Sequence, residues 1–260
     1  MKTKMNRWMM LGFLVSSVLM LTSCTQQDAL NPQKTTFGSV IQVASDGTTT
    51  VSTDNLLAAF APTASLTDAE LTTLLKMKEE EKLARDVYTA LNLKWGKPIF
   101  SNIANAEQRH MEAVITLLKF YNQPDTLIAD PGVFTFSAIT QLYQSLVATG
   151  SISLADAYKI GLQIEEMDIK DLTDALAANP NANIVMTFEN LLKGSRNHLR
   201  AFNKQYTALG LVYVPQYISQ DAFNAIVQSA MEQGSQYALQ NHYRYNYQYQ
   251  YQHQFGNGGH

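Results

Sequence analysis

The chain has 260 residues, 46% hydrophobic and 16% charged, enough for one sizeable core with appendages. A net charge of −3 and a pI near 5.9 leave no basic footprint, so no nucleic-acid partner is expected. The single cysteine excludes an internal disulfide framework and any iron site built from several thiolates.

Residues 1–24 read as a signal peptide. Lys2, Lys4 and Arg7 supply the positive start, and an apolar run from Met9 to Leu21 is too short to span a bilayer comfortably. The run ends in Leu21-Thr-Ser-Cys24, which resembles a bacterial lipobox, in which the cysteine is lipidated and becomes the mature N-terminus. The competing reading is an ordinary signal with a chance cysteine. The only Cys sits at the one position a lipobox requires, which favours lipidation of Cys24. Thr25 follows, not Asp, and by the same resemblance this favours the outer membrane over the inner. The expectation is a bacterial envelope protein whose membrane partner is reached through its anchor. Residues 25–64 read as a polar tether with one hairpin, its strands over 39–43 and 48–52 and its turn at Asp46-Gly47.

From residue 65 the pattern is helical. Thr67 or Asp68 caps a first long helix to about residue 94, with Leu74, Met77, Glu81, Ala84, Tyr88 and Leu91 on one face. Gly96-Lys-Pro98 breaks it. Ser101 or Asn102 caps a second helix to about residue 122, which sets Glu107 and His110 into a stripe of Ile103, Val114, Leu117 and Tyr121. A loop from Gln123-Pro-Asp to Asp130-Pro-Gly leads to a shorter helix over about 136–148, ended by Gly150. Ser153-Leu-Ala-Asp156 resembles a capping box and opens a third long helix to about residue 178, with stripe Ala157, Gly161, Glu165, Asp168, Leu172 and Ala175. After Asn179-Pro180 a fourth runs over about 182–209, with stripe Ile184, Phe188, Leu191, Ser195, His198 and Phe202, and Gly210 stops it. Val212-Tyr-Val-Pro is extended, and a last short helix runs from Ser219 to about residue 233. Residues 235–260 alternate Tyr, Gln, Asn and His, lack branched aliphatics and are expected to be disordered.

Short connections join helices one to two and three to four, and a long one joins two to three. In an all-α chain this is the ferritin-like four-helix bundle with a single crossover, here with a short C-terminal helix added. Each long helix carries a polar residue on its apolar stripe: Glu81; Glu107 with His110; Glu165 with Asp168; Ser195 with His198. Burying such groups unpaired costs several kcal/mol each, so four helices doing so at similar depth imply a shared partner. Four carboxylates and two imidazoles form a hard shell that suits iron or manganese, one ion or two, with zinc as a further option. For Glu-x-x-His taken alone, a solvated Glu and a core His on a backbone carbonyl is the plainer alternative. Glu80, Glu166 and Glu189 fit the stripes less well and read as solvated or capping residues.

Glu81-Lys-Leu-Ala84-Arg85-Asp-Val-Tyr88 resembles the first helix of rubrerythrin-type ferritin-like proteins, Glu107-x-x-His110 their second, and Glu165-x-x-Asp168 the Glu-x-x-Glu of their third. His198 matches the fourth helix, where the family has Glu at the position of Ser195. Glu-Glu-Glu-Lys-Leu-Ala-Arg-Asp-Val-Tyr88, Ile164-Glu-Glu-Met-Asp-Ile and Gly194-Ser-Arg-Asn-His-Leu-Arg-Ala-Phe202 are most similar to a bacterial ferritin-like family of unknown function, numbered 2202, over about 65–234. The resemblance implies Glu81, Glu107, His110, Glu165, Asp168 and His198 as metal ligands and Tyr88 as an outer donor or radical sink. It implies an oxidoreductase acting on peroxide, oxygen or ferrous iron. A non-catalytic envelope scaffold with an inward polar network and a metal-buffering protein stay open beside it, as do a homodimer and the identity of any electron donor. Ser195→Glu restores the family's pair and is expected to tighten iron binding.

Overall fold

The computed structural model describes residues 40–43, 49–62, 64–178 and 180–232. The signal segment with Cys24, the turn at Asp46-Gly47 and the tail over 235–260 lie outside them. Among the described residues the chain is all-α apart from one antiparallel hairpin. In order the elements are β1 (Ile41–Val43), β2 (Thr49–Val51), α1 (Thr53–Ala59), α2 (Asp68–Trp95), α3 (Pro98–Phe120), α4 (Ser137–Gly150), α5 (Leu154–Ala177), α6 (Ala182–Ala208) and α7 (Gln220–Gln228).

Local chemistry sets most of the boundaries. The Thr67 hydroxyl accepts from Glu70 N while the Glu70 carboxylate accepts from Thr67 N, a full capping box at the start of α2. Gly96 ends α2 at φ 60°, in the left-handed region. Ser153 caps α5 through Asp156 N, and Asn181 caps α6 through Asn183 N and Ile184 N. Helix α3 begins earlier than the Ser101 or Asn102 cap expected from sequence. Pro98 occupies its first turn, where a missing N–H costs nothing and a fixed φ helps. So Gly96-Lys-Pro98 ends one helix and starts the next. Gly150 stays inside α4, its carbonyl taken by Trp95 Nε1 at 2.9 Å. Helix α7 stops at Gln228, well short of residue 233, and Arg200 Nε takes the Ile226 carbonyl at its end.

The four long helices share one core. α2 packs most extensively on α3 and α5 on α6, while α3 also meets α6 and α2 meets α5. Leu74, Val87 and Leu91 of α2, Ile103 and Val114 of α3, Leu172 of α5, and Phe188 and Phe202 of α6 are fully buried there. At Gly161 α5 and α6 approach so closely that a Cβ would fall 2.5 Å from the Phe202 ring.

Helix α4 lies on α2 and α5, and the connection leading to it is held by charged residues of α2. Lys78, Glu79, Lys82 and Asp86 are all charged, yet all are buried. Lys82 Nζ donates to the Asp130 carbonyl, Asp86 accepts from Gly132 N, and Glu79 accepts from Thr135 N and Phe136 N. Glu79 thereby fixes the two residues that lead into α4, whose N-cap Phe136 offers no side-chain cap of its own.

The described part of the 25–64 segment is no free tether. Val40, Val51, Leu56, Ala59 and Phe60 join the core. α1 rests on α3, β2 on α3 and α6, and β1 on α6. The sequence signal for α1 is Ser52, whose side chain accepts from Asn55 N, followed by Leu56 and Ala59 one turn apart.

Candidate metal centre

Glu81, Glu107, His110, Glu165 and His198 meet in the middle of the four long helices, none of them more than 2% exposed. Glu107 stands between the two imidazoles. Its Oε2 is 2.8 Å from His110 Nδ1 and its Oε1 is 2.9 Å from His198 Nδ1. Glu81 Oε2 flanks His110 Nδ1 at 3.3 Å, and Glu165 Oε2 flanks His198 Nδ1 at 3.4 Å. The rings stack with centroids 5.4 Å apart. Two triads result, Glu81–Glu107–His110 and Glu107–Glu165–His198, each with its ligand atoms within 4.8 Å of one another. Glu107 belongs to both.

Both Nδ1 atoms and Glu81 Oε1 are buried without a hydrogen-bond partner. The imidazole–carboxylate distances are short, but the alignment of a hydrogen bond is missing. Lone pairs and carboxylate oxygens that converge without bonding one another are the arrangement a cation completes. This buried Glu/His cluster could hold a metal ion.

The electrostatics agree with a cluster short of positive charge. Burial drives Glu107 up, but the imidazoles of His198 and His110 outweigh it and hold its carboxyl well below the usual range. Burial pushes Glu81 up to about 8 against the pull of His110, and Glu165 up to about 7, with the Glu107 charge adding to it. Burial lowers His198, yet Glu107 and Glu165 carry it up to about 9, and Glu107 and Glu81 hold His110 well above its ordinary value. Protons thus sit where a metal would otherwise supply the charge.

Asp168 and Tyr88 lie beside these five residues. Tyr88 OH donates to Glu165 Oε1 at 2.6 Å and its ring packs on Phe202, which fixes the Glu165 carboxylate. Asp168 is only partly buried and belongs to neither triad. It accepts from the buried Ser195 hydroxyl. Burial, then the charges of Glu81 and Glu107, push the Asp168 carboxyl well above its ordinary value. So the carboxylate that reaches Ser195 of α6 comes from α5.

Glu80, Glu166 and Glu189 stay out of the cluster. Glu80 pairs with Lys76. Glu166 is fully buried, not solvated, and accepts from Tyr213 OH, Gln216 N and Tyr217 N to hold the segment after α6. Glu189 is also buried, with the charges of Lys193 and Arg196 opposing the rise that burial causes.

Sequence reasoning missed two contributors, Thr49 and Gly194. Thr49 Oγ1 lies 3.2 Å from His110 Nε2 and 3.0 Å from His198 Nε2. A Cβ at Gly194 would fall 2.5 Å from both Cε1 and Nε2 of His110. Gly194 was legible as a glycine inside a helix, which costs about 1 kcal/mol against Ala and so asks for a packing reason. Thr49 had no such signal.

The chain matches the family model described as "Uncharacterized protein domain (DUF2202)" over residues 70–230. It is 45% identical over 174 residues to the uncharacterized protein MJ0754 of Methanocaldococcus jannaschii, which spans 66% of this chain and 94% of that protein. A crystal structure of this hypothetical protein superposes with a TM-score of 0.65 at 44% identity, covering 67% of this chain and 100% of that one. Matched over most of its helical part by the family model and along nearly the full length of an archaeal relative, the chain belongs to the uncharacterized DUF2202 family.

Proposed function

We propose that this chain is a ferritin-like four-helix-bundle metalloprotein that holds two divalent ions, iron or manganese. The observation that carries the reading is the pair of buried triads sharing Glu107, with both Nδ1 atoms unpartnered. Its fold support is the pairing of α2 with α3 and α5 with α6, joined by a long connection that carries α4. Glu81 and His110 would hold one ion and Glu165 and His198 the other, with Glu107 between them and Asp168 as the fourth acid. Four carboxylates with neutral imidazoles carry four negative charges, which balance two divalent cations. Oxygen and imidazole donors without thiolate suit iron and manganese.

When bound, such a pair supplies redox chemistry toward peroxide, oxygen or ferrous iron. The chain's own part is to orient and to exclude water. Tyr88 fixes Glu165, and burial pushes its phenol well above the ordinary value, so it remains a proton donor at neutral pH. The stacked, fully buried histidines keep the centre dry. By its signal segment and Cys24 the protein is an envelope lipoprotein. Elemental analysis of natively purified full chain, with peroxide and oxygen consumption followed on the same sample, tests the reading. About two iron or manganese per chain supports it, and a metal-free protein that takes up neither ion sinks it. Cys24→Ser should release the protein from the membrane fraction, and retention there removes the lipid anchor from the proposal.

A second reading has its own observation. Two imidazolium rings on Glu107 with neutral acids around them form a cluster that protons alone satisfy, as a structural network in a non-catalytic scaffold would. The same elemental analysis separates the two.

A further inference from the structure

We infer that the N-terminal hairpin is a working part of the metal centre and that Thr49 is the positioning residue for both histidines. The inference rests on the metal reading above. Thr49 lies outside the residues 70–230 that define the family match, on a strand whose Thr49 and Val51 face the helices while Thr50 faces solvent. Its Oγ1 reaches Nε2 of His110 at 3.2 Å and Nε2 of His198 at 3.0 Å. One hydroxyl therefore serves two imidazoles contributed by two different helices.

Hydrogen counting gives the contact its meaning. A hydroxyl has one proton and two acceptor lone pairs. It can donate to one Nε2 at most, so it cannot satisfy two neutral rings that both carry their proton on Nδ1. It can accept from two Nε2–H groups at once. In that state both Nδ1 atoms present lone pairs to the side where Glu81, Glu107 and Glu165 converge. A ligating histidine nearly always donates its other N–H to an outer partner, which fixes the tautomer and turns the ring. Here the outer partners of both ligands are one atom, so the hairpin sets both tautomers together. Gly194 makes the meeting sterically open, since a Cβ there would fall 2.5 Å from His110 Nε2 and 3.3 Å from Thr49 Oγ1. Val40 and Val51 of the hairpin join the core, as do Leu56 and Phe60 just after it, and Thr49 is set in register by pairing with Val43.

The test uses the full chain as parent, Thr49→Val and Thr49→Ser. Each is titrated with Mn2+, free ion being read by electron paramagnetic resonance. The zinc-loaded proteins are examined by histidine 15N NMR. Expected is an affinity about 10–100-fold lower for Thr49→Val, the usual cost of losing an outer partner, with Thr49→Ser close to the parent. In the zinc-loaded parent both histidines should carry their proton on Nε2. Thr49→Val binding Mn2+ as tightly as the parent overturns the role of Thr49 and leaves the metal reading standing. A parent that binds neither Mn2+ nor Zn2+ overturns both. If valine prevents folding, the parent's own spectrum decides, since a proton on Nδ1 of either zinc-loaded histidine refutes the inference.

Discussion

Glu107 touches both imidazoles, while Glu81 and Glu165 reach one each. That makes it the residue whose charge the cluster can least spare. Glu107→Gln keeps the shape and removes the charge. It should abolish binding at both positions together, cost the metal-free protein roughly 3–5 kcal/mol by stripping a buried ion pair of one partner, and drop the His198 pKa from about 9. Calorimetry with an NMR titration of the histidines checks it, and loss of only one bound ion would show that Glu107 does not serve both positions. Ser195 gives a second prediction, opposite in sign to the one drawn from the sequence. Asp168 already fills the space beside Ser195, so Ser195→Glu adds a fifth acid against it and should weaken metal binding. Ser195→Glu with Asp168→Ser moves the acid from α5 to α6 at constant charge and should recover binding, with a coupling of about 0.5–3 kcal/mol between the two changes. Tighter binding by the single variant would show that Asp168 plays no such part.

Helices and their inward stripes were legible because period and caps agree: Glu81, Glu107, His110, Glu165 and His198 each fall on an apolar face that three- and four-residue spacing defines. The charged run of α2 was not, because a buried ion pair and a solvated one have the same spelling. Lys82 and Asp86 sit four apart like any surface pair, and what buries them is a distant loop. Asp86→Ala leaves the Lys82 ammonium buried without its carboxylate and frees Gly132 N. It should destabilise the protein by about 3–5 kcal/mol and raise proteolytic cleavage within 121–136. Limited proteolysis beside chemical denaturation reads both, and an unchanged cleavage pattern would mean that the connection is held by other contacts. Thr49 was illegible for a related reason. The period-two pattern located its strand, but which side chain reaches a site 149 residues further on depends on where the hairpin docks.

The molecule as one titrating system gives a prediction about pH. Glu81 and Glu165 have native pKa values of about 8 and about 7 against an ordinary 4.5, and His198 about 9 against 6.5. Raised values mean that the native state holds more protons than the unfolded one, so this stabilisation is full below the ordinary values and is lost as pH rises through the native ones. Glu107 is shifted the other way, and its contribution changes only at acid pH. The metal-free protein should therefore lose Tm steadily from about pH 5 to about pH 9, by roughly 2–4 °C for each kcal/mol. Bound metal replaces those protons, so the loaded protein should hold its Tm and the gap should widen toward alkaline pH. The window extends well above the 6.5 of a free histidine because the carboxylates retain the imidazole protons. Parallel scanning calorimetry of the two forms decides, and parallel curves would show that metal and protons do not compete for the same groups.

The reach from Thr49 to His198 also bears on the order in which the molecule is built. The hairpin is made early in synthesis, but its seat on α6 comes near the end, and a contact spanning 149 residues is among the last that chain entropy allows to form. Until it forms, α2, α3, α5 and α6 can pack while the outer side of both histidines stands uncovered. Loading would then precede closure, and a strand that arrives last would act as a latch, slowing the escape of whatever ions the open bundle had taken up.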